Sequence, residues 1–249
     1  MAGLLLYAQQ ATAKPSEPPY EDVNESAWIS LLTPKKIFVT SAEYNGNLVL
    51  EAQLLGATES NPLAAADYIC NHHAAAAGLK GRFVAILSTS GVNANARLST
   101  SLGPYQLVTG TPVAASFAAL FGTDPGSETS AVPRAATLLT APVFRDEFGV
   151  DWTHPANSII PTSVWTGSDA RGDVESFARG LDRDLVYPGA STCFDWTTSD
   201  DTVGLSGCTD PEVDYNCGVI GNLESRATGW IDSERGSCMG SRRLYCAEQ

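Results

Sequence analysis

Positive charge is scarce in this 249-residue sequence: 15 Lys and Arg stand against 28 Asp and Glu, a formal net charge of −13. That deficit argues against a nucleic-acid partner, because phosphates demand clustered basic side chains. It favours solubility and is compatible with a hard cation such as calcium. No apolar run approaches the roughly 18 residues of a membrane span. The G-x-S-x-G elbow, H-E-x-x-H, the phosphate loop and the Gly-rich dinucleotide turn are all missing. His154 in "DWTHPAN" has no nucleophile marked nearby. The chain therefore reads as a non-enzyme with no required cofactor.

What is present begins with six cysteines, Cys70, Cys193, Cys208, Cys217, Cys238 and Cys246. An even count crowded towards one end reads as a disulfide framework. Zinc is a weak alternative, since no C-x-x-C occurs and His72, His73 and His154 stand at no zinc-ligand spacing from the cysteines. Disulfides place the chain in an oxidising compartment, secreted or on a cell surface. "MAGLLLYAQQATAKP" holds a short apolar run and an A-x-A-like Ala11-Thr12-Ala13 but lacks a basic n-region. It reads either as an export-signal remnant or as a tail. Residues 1–34 then form a tail or linker, and 35–249 one domain with a surface insertion around 122–160.

Local patterns place a few elements. Ile37, Phe38 and Val39 form a β-run ahead of an Asn45-Gly46 turn. In "SNPLAAADYICNHHAAAAGLKG", Ser60 or Asn61 can cap a helix, Pro62 suits its first turn and Gly78 its end. Leu63, Ala66, Ile69, Cys70 and Ala74 recur at helical spacing, so Cys70 faces the core while His72 and His73 fall on or near the exposed side. "RFVAILSTS" reads as a buried strand, "SVWTGSDARGD" as a strand breaking into a loop, and "ATGWIDS" and "RRLYCAE" as closing strands.

The ordered strings "KIFVTSAEYNGNL", "AADYICNHHAAAAGLKGRFVAILSTS", "GTPVAASFAALF", "VWTGS", "CFDWTTSDDTVG" and "CMGSRRLYCAEQ" carry a resemblance. From about Lys35 to Gln249 the chain resembles the bacterial domain family of the leptospiral endostatin-like surface proteins and related secreted proteins. "VWTG" and the closing "RRLYCAEQ" are the most specific parts. That family is similar to endostatin and to the wider C-type-lectin-like fold. The resemblance implies an α+β, disulfide-stapled fold of twisted antiparallel sheets with one or two helices and long loops. It implies the pairs Cys70–Cys246, Cys193–Cys238 and Cys208–Cys217 among the fifteen that six cysteines allow. Leu244 and Cys246 would share the strand face that meets the helix.

The resemblance also directs attention to the acidic loop region 193–238. Trp196, Asp200, Asp201, Asp210, Glu212 and Asp214 are its candidate ligand-binding residues. Asp200, Asp201, Asp210, Glu212, Asp232 and Glu234 are candidate calcium ligands, because calcium takes six to eight oxygens. A solvated acidic loop explains the same residues. The lectin sugar motif Glu/Gln-Pro-Asn/Asp is absent, and the strand motif Trp-Asn-Asp stands as Trp230-Ile231-Asp232. The family pattern sets Trp165 and Trp230 at core positions. Arg171-Gly172-Asp173 is either an integrin-type tripeptide or an ordinary turn. The expected function is recognition of a host or matrix protein, or of a glycan, at a cell surface. A calcium-dependent lectin and a self-assembling subunit of a surface layer, filament or appendage are the alternatives.

Overall fold

In the computed structural model, which describes residues 33–98, 103–121, 139–153, 163–169, 171–174, 192–199 and 217–249, the last strand holds the centre. The chain is α+β, with a sheet-dominated core. Strand β1 (Lys35–Val39) and strand β8 (Arg243–Glu248) alternate cleanly between two buried faces. Ile37, Val39, Tyr245 and Ala247 point to one face, and Phe38, Leu244 and Cys246 to the other. This is the period of two that a strand covered on both faces requires.

Both edges of β8 are occupied. Along one edge Tyr245–Ala247 pair with Val39–Ile37. Along the other, β2 (Phe83–Ala85) takes the distal half and β5 (Ser163–Trp165) takes Arg243 and Leu244. With β3 (Tyr105–Leu107), β4 (Pro112–Ala114), β6 (Cys217–Asn222) and β7 (Glu234–Ser237), the sheet order is β4-β3-β1-β8-β5-β6-β7, with β2 attached to β8. The sheet is mixed rather than purely antiparallel, since β1–β3 and β5–β8 run parallel. Parallel neighbours need a long crossover, and between β1 and β3 the helices supply it.

Two helices form that crossover: α1 (Leu48–Leu54), which local pattern did not reveal, and α2 (Pro62–Ala76). Asn61 Oδ1 accepts the amides of Leu63 and Ala64 at 3.0 Å, and Pro62 occupies the first turn. Gly78 ends the helix at φ 69°. Ile69, Cys70 and Ala66 of α2 pack on Phe38, Phe83, Leu244 and Cys246. Cys70 is bonded to Cys246, which ties the helix to the central strand, and Cys193 to Cys238. Cys217 is also disulfide-bonded, and Cys208 lies outside the described residues. Two short helices, α3 (Ala94–Arg97) and α4 (Phe117–Phe121), follow. The disulfides fit an oxidising environment, and no helix among the described residues is long and apolar enough to cross a membrane.

Two local expectations are corrected. Residues 139–153, read as part of a surface insertion, contribute Leu139 and Val143 to the core and bury Asp146 and Glu147. Their polar composition serves hydrogen bonds: Asp146 accepts from the amides of Phe148 and Val150 and from the Trp152 indole. "ATGWIDS" is no strand but the single 3-10 turn Thr228–Trp230, with β7 starting at Glu234. The Trp230 carbonyl lies 2.0 Å from where a β-carbon on Gly221 would stand, so this close approach needs glycine.

Candidate functional site

Cys193–Trp196 form a single helical turn of the wrong hand. Four successive non-glycine residues have φ of 49°, 51°, 54° and 63°. A left-handed conformation costs an L-residue about 1–2 kcal/mol, so four in a row persist only if the surroundings impose them. The anchors are on every side. Cys193 is bonded to Cys238, and the Trp196 indole donates to the Ser88 carbonyl at 2.7 Å. The Asp195 carboxylate accepts from both the amide and the hydroxyl of Ser90 at 2.6 Å. The Asp195 amide donates to Thr192 Oγ1 at 3.2 Å.

Trp196, expected among the ligand-binding residues, is fully buried. Its ring packs against Trp165 at 5.6 Å, so it presents no face to a ligand. It is the peg of the turn. Phe194, two residues earlier, is what the turn holds outwards, 48% exposed. Its αL setting carries no mark in the local sequence, where "CFDWTTSDD" stands out for Cys193, Trp196 and its acids.

Three chain segments meet here. Gly46 donates its amide to the Cys238 carbonyl at 2.7 Å, and a β-carbon on Gly46 would stand 2.8 Å from Cys193 Sγ. Asn47 bridges Thr197. Tyr44 and Arg242 exchange backbone hydrogen bonds at 2.7 and 2.9 Å. The segment that starts α1, the left-handed turn and the β7–β8 turn therefore form one surface. Leu50, 45% exposed, and Met239, 62% exposed, join Phe194 on those segments.

The other anticipated residues fall differently. Asp200, Asp201, Asp210, Glu212 and Asp214 lie outside the described residues. Asp232 is half-buried, and Glu234 is exposed at the start of β7. Burial pushes the Asp232 carboxyl above its ordinary value, and the Asp169 carboxylate adds to this. Among the described residues no three His, Cys, Asp or Glu side chains stand close enough together to hold a metal ion. Arg171-Gly172-Asp173 makes a turn in which Asp169 Oδ1 accepts the amides of Arg171 and Asp173. Asp173 Oδ1 is itself taken by the side-chain amides of Asn93 and Asn95 at 2.8 and 2.9 Å.

A second polar constellation was not anticipated. His73 is buried rather than exposed, with Nδ1 2.6 Å from Glu147 Oε1 and Nε2 2.5 Å from the Tyr44 hydroxyl. Ser41 donates its amide to Glu147 Oε2 at 2.9 Å and its hydroxyl to Oε1. The set is satisfied when His73 donates from Nδ1 and accepts the Tyr44 proton at Nε2. Burial works to raise the Glu147 carboxyl, but the hydrogen bonds from His73 and Ser41 outweigh it and hold it below its ordinary value. Burial, then Glu147 and Glu51, push the Tyr44 phenol up. Ser41 and Glu147 both approach the same imidazole nitrogen, so Glu147 cannot orient the ring for a Ser41 nucleophile as a triad requires. What this set does is join α2 to the segments following β1 and α4. The signal was there: His73 continues the Ala66, Ile69, Cys70 stripe at i+7.

No protein-family model matches the chain, and no curated protein matches it.

Proposed function

We propose that this chain is an extracellular or cell-surface recognition domain of the endostatin-like, C-type-lectin-like kind, binding a protein or glycan ligand without catalysis. The observation that carries this reading is the left-handed Cys193–Trp196 turn. Conformational strain over-determined by a disulfide, an indole hydrogen bond and a carboxylate clamp is what proteins keep at binding and switch sites. Here its product is one aromatic side chain held out on a rigid base. Aromatic side chains fixed in this way are common anchors of protein interfaces and stacking faces for sugars. The position agrees with the resemblance, which sets the variable ligand surface between Cys193 and Cys238. A calcium-supported version of the same site would draw its ligands from the acids that follow the turn.

The test is a binding screen of the oxidised protein against immobilised matrix proteins and a glycan array, with calcium and with chelator. The reading expects at least one saturable ligand that Phe194→Ala weakens about tenfold or more, the range of an interface anchor. Ligands that bind Phe194→Ala and the parent equally would remove the site. A ligand lost on chelation alone would move it to the acidic loop.

A further inference from the structure

The face around Phe194 has a sign as well as a shape. The three segments that build it, residues 44–54, 192–199 and 237–242, contain no lysine and a single arginine, Arg242. Arg242 is not available as a free cation: it lies over the Trp165 ring at 5.7 Å, in the field of Glu43 and Glu234. Neighbouring Arg243 is buried, bonded to the Thr40 carbonyl and paired with Glu43 at 3.5 Å. Glu51 and Asp195, by contrast, meet only amides and hydroxyls in their hydrogen bonds.

Three other cations cluster at the opposite end of β1. Lys35 and Lys36 open β1 and Arg82 precedes β2, at the end of the sheet where Glu248 closes β8. At about 3.3 Å per residue, the four steps of β1 set Lys35 some 13 Å from Val39, beyond which the chain runs on to Tyr44. The face itself is thus poor in free cations, and its apolar protrusions stand beside the carboxylates of Glu51, Asp195 and Glu234.

Resting on the recognition reading above, we infer that the partner at this face is a cationic protein segment carrying an apolar anchor, and not a sulfated or otherwise anionic glycan. Phe194, Met239 and Leu50 supply the apolar contact. The surrounding carboxylates and the net charge of −13 steer a Lys- or Arg-rich partner towards it and repel a polyanion. Association is therefore fast at low ionic strength and slows as salt screens the field.

The test uses fluorescence anisotropy of the full oxidised chain with three labelled probes: a lysine–leucine peptide, a lysine–serine peptide of equal charge, and heparin. The lysine–leucine peptide should bind at least tenfold more tightly than the other two, and lose affinity as salt is raised. Phe194→Asn with Met239→Ser should reduce that binding about tenfold. Asparagine is chosen because it tolerates the left-handed backbone, and an unchanged melting temperature confirms that the turn is intact. Glu234→Lys, exposed on β7, should weaken both peptides. If heparin or an uncharged glycan binds in a Phe194-dependent manner and the basic peptides do not, the cationic-partner inference fails and the recognition site stands. If no probe's binding depends on Phe194 and Met239, this inference fails, and if the ligand screen too shows no Phe194 dependence, the site itself falls.

Discussion

Cys246 faces Phe38 across one edge of β8 and Ala85 across the other, while its sulfur is bonded to Cys70 on α2. One residue thus fastens three elements, and the strand that carries it is hydrogen-bonded along both sides. Cys246 can reach all three because its strand is the middle of the sheet.

Replacing Cys70 and Cys246 together by alanine removes a cross-link spanning 176 residues. The chain-entropy treatment gives about 5 kcal/mol for a loop of that size. The urea midpoint of the variant should fall sharply relative to the oxidised parent. Equal midpoints would show that β8 is held by its ladders alone.

Glu147→Gln should destabilise at neutral pH by about 1–3 kcal/mol, the cost of leaving buried hydrogen-bond partners imperfectly matched. Its folded carboxyl is held below the ordinary value of 4.5. Its contribution is therefore present above pH 4.5 and disappears as pH falls through the lower folded value. Melting curves of parent and variant should converge in acid. A gap that persists in strong acid would assign the loss to packing instead.

Asp232 carries the opposite sign. Its folded carboxyl is raised above 3.8, first by burial and then by Asp169. Ionisation is then unfavourable in the fold, and stability is lost as pH climbs from 3.8 through the raised value. Asp232→Asn should melt higher than the parent at neutral pH, with the gain vanishing below pH 3.8. Saturating calcium that reverses the order, stabilising the parent above the variant, would make Asp232 a ligand.

Gly172→Ala probes the Arg171–Asp173 turn. Gly172 has φ of 77°, and a β-carbon there would sit 2.6 Å from the Phe121 ring. Both strain and overlap oppose it, so a loss of about 2 kcal/mol or more in denaturant melts is expected. A neutral outcome would mean that the turn is free to move away from α4.

Where the sequence was legible, a short-range rule was at work. Asn61, Pro62 and Gly78 mark α2 because capping chemistry is local, and Leu244 with Cys246 mark a face because strands alternate. The wrong-handed turn was invisible for the opposite reason. Nothing in Cys193-Phe194-Asp195-Trp196 favours positive φ; Ser88, Ser90 and Cys238 enforce it from 45 to 108 residues away. Trp196 was misplaced on the same account, since an aromatic in an acidic stretch reads as surface until its indole finds Ser88. His73 is hidden by weight of type: an ionisable residue reads as solvent-facing although its spacing puts it on the buried stripe. Glu147, its partner, sits in a stretch whose Pro, Thr and Asp content resembles a loop.

Because β8 is, among the described residues, both the last of eight strands in sequence and the one in their midst, the sheet cannot close early during synthesis. The amide of Lys36 waits for the Glu248 carboxylate, 212 positions later. Contacts of that span slow folding. The earlier strands pass through a period in which their facing edges are open to neighbours. A chain built this way gains from an oxidant that joins Cys70 only once its distant partner has arrived.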